Sequence, residues 1–228
     1  MTLNNKVAII TGASGDLGSV VVERFIASGA TVVAVTHSAS VAVSGVALSL
    51  QADVSDEAQV EQLLAAVNSQ LGGPHILLNL VGGWAGGPKL HELDLSVWEH
   101  MLNLNLRSAF LCSKHALRTM LPAGYGRIVN VASKSAFDLT PGSAAYGVAK
   151  AGVIALTTAL AHELKGTGVS AACVAPSTID LPKNREAMPK VDPAKFIQPE
   201  QIAETLLWLA GAEGGAATGA IVPLYGGM

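Results

Sequence analysis

The stretch that decides how this chain folds is "KVAIITGASGDLGSVVVERFIASGA", residues 6–30. A short apolar, partly β-branched run reads as a buried strand. It passes directly into a glycine-punctuated turn, "TGASGDLG" at 11–18. A periodic apolar segment with helical spacing follows. Glycines at a strand-to-helix turn let the backbone approach a diphosphate, and the helix start presents free N–H groups and a positive dipole end. The turn therefore implies dinucleotide binding through Gly12, Ser14, Gly15, Leu17 and Gly18. Asp16 is out of character there, because a carboxylate repels phosphate unless it turns outward or caps the helix; capping is the expectation.

Outward from this unit, "TVVAVT", "HILLNLV", "RIVNVAS", "VSAACVAP" and "GAIVPLY" repeat the strand pattern at helix-length intervals, and "ALSLQADV" at 47–54 adds a weaker strand. Such alternation predicts a doubly wound parallel α/β sheet of about seven strands with helices on both faces. Between Thr36 and the weak strand stands only "HSASVAVSGV", so an irregular or shortened connection is expected. At 228 residues the whole chain, 1–228, is expected to form a single domain.

A net charge of −3 with 14% charged residues supplies no basic stripe for nucleic acid. Residues 25–52 carry no formal charge, yet polar residues and glycine interrupt them, so no membrane span is expected. No secretory leader is visible, and Cys112 and Cys173 fall in apolar segments, which points to reduced thiols in the cytoplasm. The segments Ala144–Leu164 and 97–121 are apolar around most of their circumference, so a second subunit is expected to cover one face, giving a homodimer or homotetramer.

Tyr146 and Lys150 stand four apart in "YGVAK", which places a phenol and an ammonium on one helical face. A free phenol titrates near ~10, and a neighbouring cation favours its anion. Alone, the pair could be an accident of a solvated face. Ser133 ends "RIVNVAS" thirteen positions earlier, Asn105 lies in "NLRSAF", and "NLVGG" closes another strand. A different signal is "VGGWAGGPK" at 81–89, where Trp84 sits among four glycines. Two explanations stand: a surface for a ligand, or a plug over the core.

Taken in this order, the motifs resemble the short-chain dehydrogenase/reductase family across essentially the whole chain. The resemblance implies a Rossmann-type domain with Tyr146 as general acid or base, Lys150 lowering its pKa and holding the nicotinamide ribose, Ser133 bonding the reacting substrate atom, and Asn105 positioning a relay water. It also implies that Asp53 meets the adenine and that Asn79 and Gly82 support the cofactor wall. The cofactor set is completed by Asp16, Thr36, His37, Val54, Pro176, Thr178 and Ile179; Trp84, Ser135 and Tyr146 form the substrate side; no metal is expected.

Within that family, "GGWAGG", "TPGSAAYGVAK" and "PSTIDLPKNREAMPK" look like the quinonoid dihydropteridine reductase group, which implies Trp84 as a stacking platform for a flat pterin. Three departures matter. That group commonly lacks a serine at the Ser133 position, so ordinary carbonyl reduction is open too. Thr36 and His37 stand where an acidic residue would bind the ribose of NAD, so the cofactor is NADP(H) or NAD(H) with a lean to NADP(H). Leu181 replaces a threonine expected to touch the carboxamide, leaving Ser177 or Thr178 to substitute.

The expected function is an NAD(P)H-dependent reductase of a quinonoid dihydropterin or similar flat compound, with an aldehyde or ketone reductase and a non-catalytic dinucleotide sensor as alternatives. The small-molecule substrate is the expected partner, with neither nucleic acid nor membrane. Trp98 and Trp208 are expected in the core. His162 and Glu163 make half of a zinc motif whose second histidine is replaced by Gly166. Asp138, Asn184, Arg185 and Met188 flank the expected substrate opening, and "LPKNREAMPKVDPAKF" is expected to be a lid.

Overall fold

A computed structural model of the chain describes residues 1–37 and 43–227. Seven strands form one parallel sheet: β1 Val7–Thr11, β2 Thr31–Thr36, β3 Leu48–Gln51, β4 Ile76–Asn79, β5 Gly126–Val131, β6 Val169–Pro176 and β7 Ile221–Leu224. Their spatial order is β3-β2-β1-β4-β5-β6-β7. The chain starts near the middle, winds to one edge, then returns to place β4 beside β1. The connections that leave the C-terminal ends of those two strands therefore run to opposite faces, α1 (Asp16–Ala27) to one and α4 (Ser108–Ala123) to the other, and open a crevice of the kind where open α/β sheets hold ligands.

Alternation along the strands sorts side chains into two cores. Ala8, Ile10, Val32 and Ala34 pack with Val21, Val22 and Phe25 of α1 (Asp16–Ala27) and with Ile202, Leu206 and Leu207 of α7 (Pro199–Ala210). Ile9, Val33 and Val35 meet Val60, Leu63 and Leu64 of α2 (Glu57–Leu71), Leu111 and Met120 of α4 (Ser108–Ala123), and Leu160 of α5 (Ala144–Glu163). Both faces are covered, as a parallel sheet requires. Two shorter helices complete the set, α3 (Leu95–Leu102) and α6 (Pro182–Ala187).

Local chemistry sets the helix ends. Asp56 caps α2 by accepting from the N–H groups of Ala58 and Gln59 at 2.8 and 3.2 Å. Gly72 ends that helix in the left-handed region at φ 77°. The helical run anticipated over 97–121 is interrupted: α3 and α4 are joined by a π turn, Asn103–Arg107. The N–H of Ser108 bonds the carbonyl of Asn103, and the Ser108 hydroxyl donates to the Leu104 carbonyl at 2.6 Å.

Residues 38–42 of the anticipated short connection lie outside the described residues. From Val43 to Ala47 there is no helix. Helix α5 is long and apolar enough to cross a membrane by length and composition, yet Val153, Thr157 and Leu160 lie buried against the sheet side.

Candidate active site

The glycine turn forms a cradle at the crevice. Gly12 takes φ 68°, a conformation that strains other residues. A Cβ on Gly18 would stand 2.1 Å from the Gly12 carbonyl oxygen, so only glycine lets α1 start this close to the turn. The Thr11 hydroxyl donates to Leu78 O at 3.2 Å and accepts from the N–H of Leu80 at 3.1 Å, pinning the turn to β4. Among the described residues no side chain caps the start of α1, so its first-turn N–H groups have no side-chain acceptor there. Beside them opens a pocket whose wall includes Ser14, Thr36, His37, Asp53, Leu104 and Ser108. A bare helix start, a glycine cradle and a neighbouring pocket at the crevice fit a dinucleotide.

At the other end of the crevice, polar groups from three segments converge. Tyr146 lies on the first turn of α5 and Ser133 just beyond β5, its hydroxyl close enough to the phenol to influence its titration. Ser133 is itself fixed by accepting from the N–H of Ser135 at 3.1 Å. Burial pushes the phenol's pKa up, and the nearby Ser133 hydroxyl offsets part of that rise. Lys150 is buried, its Nζ 5.9 Å from the Tyr146 ring centre and 2.8 Å from the Val131 carbonyl it donates to. Burial lowers its pKa to about 8. Asn105, inside the π turn, is 1% exposed; it donates to Gly83 O at 3.0 Å and accepts from Gly83 N at 3.2 Å. A Cβ on the intervening Gly82 would come within 2.8 Å of Asn105 Oδ1 and 3.0 Å of Lys150 Nζ.

The scan against protein-family models matches "short chain dehydrogenase" over residues 6–192, which spans the cradle, the π turn and the Ser133, Tyr146 and Lys150 positions. The chain belongs to the short chain dehydrogenase family. It is an oxidoreductase that uses a nicotinamide dinucleotide. Among curated relatives it is similar to (2S)-[(R)-hydroxy(phenyl)methyl]succinyl-CoA dehydrogenase subunit BbsD of Thauera aromatica, 33% identical, covering 100% of this chain and 98% of the relative. It is likewise similar to the 3-oxoacyl-[acyl-carrier-protein] reductase FabG of Vibrio harveyi, 31% identical over 100% and 99% of the two chains. A third relative is meso-2,3-butanediol dehydrogenase of Serratia marcescens, 33% identical over 100% and 96%. None of these three is named for a pterin.

For this short chain dehydrogenase, several anticipated residues take other places. Asp16 is the first residue of α1 and does not cap it; its carboxylate points outward, 3.8 Å from Lys183 on α6. Asn79 turns inward, donating to Asn130 Oδ1 at 2.8 Å and to Ser113 at 3.2 Å; Asn130 continues the chain to Thr157 at 2.9 Å. Its side chain thus ties β4 to β5 and α4, and through Asn130 to α5, at the strand end beside the cradle. The Ser177 hydroxyl is committed to Tyr225 O at 3.0 Å, and Leu181 is buried.

Asp53 does wall the pocket, its Oδ1 held by the N–H and hydroxyl of Ser55, which lower its pKa. Val54 lines the same pocket. Pro176 ends β6, the Thr178 carbonyl accepts from Ile197 N at 3.0 Å, and Ile179 pairs with Ile197 in an isolated parallel bridge.

Trp84 is 65% exposed, so it plugs no core. Its loop is pinned to the segment before α5 by Gly87 N–H donating to Gly142 O at 3.0 Å, and its ring lies over Gly86. Trp98 is half-buried and Trp208 is 45% exposed, against the expectation of core. The 180–195 segment is braced: Arg185 pairs with Asp180 at 2.5 and 2.7 Å, and Asn184 donates to Ile179 O at 2.8 Å. Both side chains hold the segment, while Asp138 sits 3.9 Å from Lys134.

Sequence reasoning passed over Thr11, Leu104 and Ser108. The last two sit four apart on the run through Asn105, a spacing that puts them on one helical face and was available to be read. Leu139, lying over Gly147 next to Tyr146, and the exposed Phe137 were also missed. Their signal is two large apolar residues inside the turn-rich "FDLTPGS".

Proposed function

We propose that this enzyme reduces a flat, conjugated C=N or C=O compound, a quinonoid dihydropterin being the candidate that fits Trp84. The reduced nicotinamide supplies the hydride when bound. Tyr146 supplies the balancing proton from its hydroxyl to the substrate nitrogen or oxygen. A buried phenol whose pKa is raised keeps that proton at neutral pH, and Ser133 orients both the phenol and the reacting atom. Lys150, anchored on Val131, holds the ribose and offsets phenolate charge as the proton leaves. Asn105 fixes the Gly82–Gly83 backbone beside them.

The single observation that carries the chemistry is the convergence of Tyr146, Ser133 and Lys150 at the end of the crevice. The substrate class is supported by exposed apolar side chains: Leu139 lies over Gly147 next to Tyr146, Phe137 stands two residues before Leu139, and Trp84 is carried on the loop that Gly87 ties to Gly142. A second reading, reduction of a simple aldehyde or ketone, is favoured by Ser133 and by the names of the reductase and dehydrogenase relatives. Oxidation of NADPH and NADH by the purified protein, followed with a quinonoid dihydropterin and a panel of ketones and aldehydes, distinguishes them. Turnover of ketones alone would remove the pterin.

The cofactor lean is to NADP(H), because Thr36 and His37 at the pocket mouth place no carboxylate against a 2′-phosphate. The working form is read as a single-domain chain in a cytoplasmic homodimer or homotetramer, with Phe110 and Leu121 on α4 and Val148 on α5 as its exposed apolar contacts.

A further inference from the structure

Arg107 closes the π turn, and its Nε donates to the carbonyl oxygen of Ser55 at 2.9 Å. Ser55 belongs to the turn after β3 that walls the pocket, where its N–H and hydroxyl both bond Asp53. Leu104 and Ser108, within and just after the π turn, line the same pocket. Asn105, between them, grips Gly83 at both its N–H and its carbonyl, beside Lys150. One five-residue turn therefore touches both the pocket beneath the cradle and the polar cluster around Tyr146. Such a turn gives up regular helical bonds, so its position depends on side-chain ties like those of Ser108 and Arg107.

We propose that Arg107 is a positioning residue that couples occupation of the pocket by an adenosine group to the placement of Asn105 and Gly83. The inference rests on the dinucleotide reading of the pocket. An adenosine held against Asp53 and Val54 fixes the Ser55 carbonyl, Arg107 carries that constraint into the π turn, and Asn105 passes it to the backbone at Gly83. Coupling exists only to the extent that the Arg107–Ser55 bond is stronger with the pocket filled.

The test is amide hydrogen exchange of the 82–85 segment with and without ADP-ribose, alongside ADP-ribose affinity by calorimetry. In the wild-type chain, ADP-ribose slows exchange of that segment at least about fivefold. In Arg107→Gln, ADP-ribose still binds, within roughly threefold of wild type, but the slowing is lost; Arg107→Lys, which keeps a donor, restores part of it. A merely structural Arg107 would change exchange equally in free and bound protein, and that result overturns the coupling. So does wild-type protein that binds ADP-ribose with no slowing. Failure of ADP-ribose to bind wild-type protein at all overturns the dinucleotide reading together with this proposal, which separates the two.

Discussion

Lys150 donates to the Val131 carbonyl at 2.8 Å, so the amine beside Tyr146 is tethered to the strand that leads, two residues on, to Ser133. The tether and the burial around it set the amine's titration. Cys173 is buried nearby; burial raises its thiol pKa to about 11, so it is protonated at neutrality and burial dominates the shift of the amine.

The pH dependence follows. Lysine is charged below its pKa, and burial brings that pKa from 10.5 to about 8, so the ammonium is present at neutrality and lost above about 8. The reduction rate should hold through neutrality and fall as pH passes about 8, measured as kcat against pH. Lys150→Arg should move the fall to higher pH. For stability the sign is opposite: the unfolded chain binds more protons between about 8 and 10.5, so this residue's contribution rises with pH across that window. In Lys150→Met that rise in the urea midpoint should be absent.

Asp16 places a carboxylate at the start of α1, where a diphosphate is expected, and among the described residues Lys183 at 3.8 Å is the cation that offsets it. Asp16→Gly should tighten dinucleotide binding by about three- to tenfold at low salt, by removing like-charge repulsion. Lys183→Gln should weaken it. Fluorescence titration of NADPH checks both, and the difference should shrink as salt is raised.

Trp84 is the exposed side chain most suited to stacking. Trp84→Ala should raise KM for a conjugated substrate by about tenfold, consistent with roughly 1.4 kcal/mol of lost aromatic contact, while leaving cofactor Kd unchanged. Steady-state kinetics beside a cofactor titration separate the two effects. Unchanged KM would leave Trp84 without a substrate role.

His37 lies at the mouth of the pocket, exposed, directly after β2. The protein should bind NADPH more tightly than NADH, and His37→Asp should reverse that order by accepting from ribose hydroxyls and repelling a 2′-phosphate. Parallel titrations of the two reduced cofactors give the ratio directly.

Sheet architecture and the cradle were legible in the sequence because strand runs and the glycine turn are local signals: residues 6–30 carry their strand, turn and helix in one stretch. Tyr146 and Lys150 stood out through their spacing, and Ser133 and Asn105 through the resemblance to the family. What remained hidden depends on side-chain direction across distant elements. Asn79 could face the cradle or the core, and only its alignment with Asn130 and Ser113 selects the core. Asp16 could cap or point outward, and the Lys183 it stands beside is far away in sequence. The π turn at Asn103–Arg107 left no periodic trace, since one extra residue within a long apolar run shifts the pattern less than the run's own irregularity. Trp208 shows the converse: its apolar neighbours on α7 are buried, but its own position on the helix faces outward.

The account stands on Tyr146 as the proton donor, and one comparison tests it most directly: single-turnover oxidation of bound NADPH by wild-type protein and by Tyr146→Phe with the best substrate found. Phenylalanine keeps the ring and removes only the hydroxyl. The predicted result is a rate lowered by roughly 10²- to 10⁴-fold with NADPH affinity nearly unchanged. A Tyr146→Phe protein that oxidises NADPH at close to the wild-type rate would contradict the account.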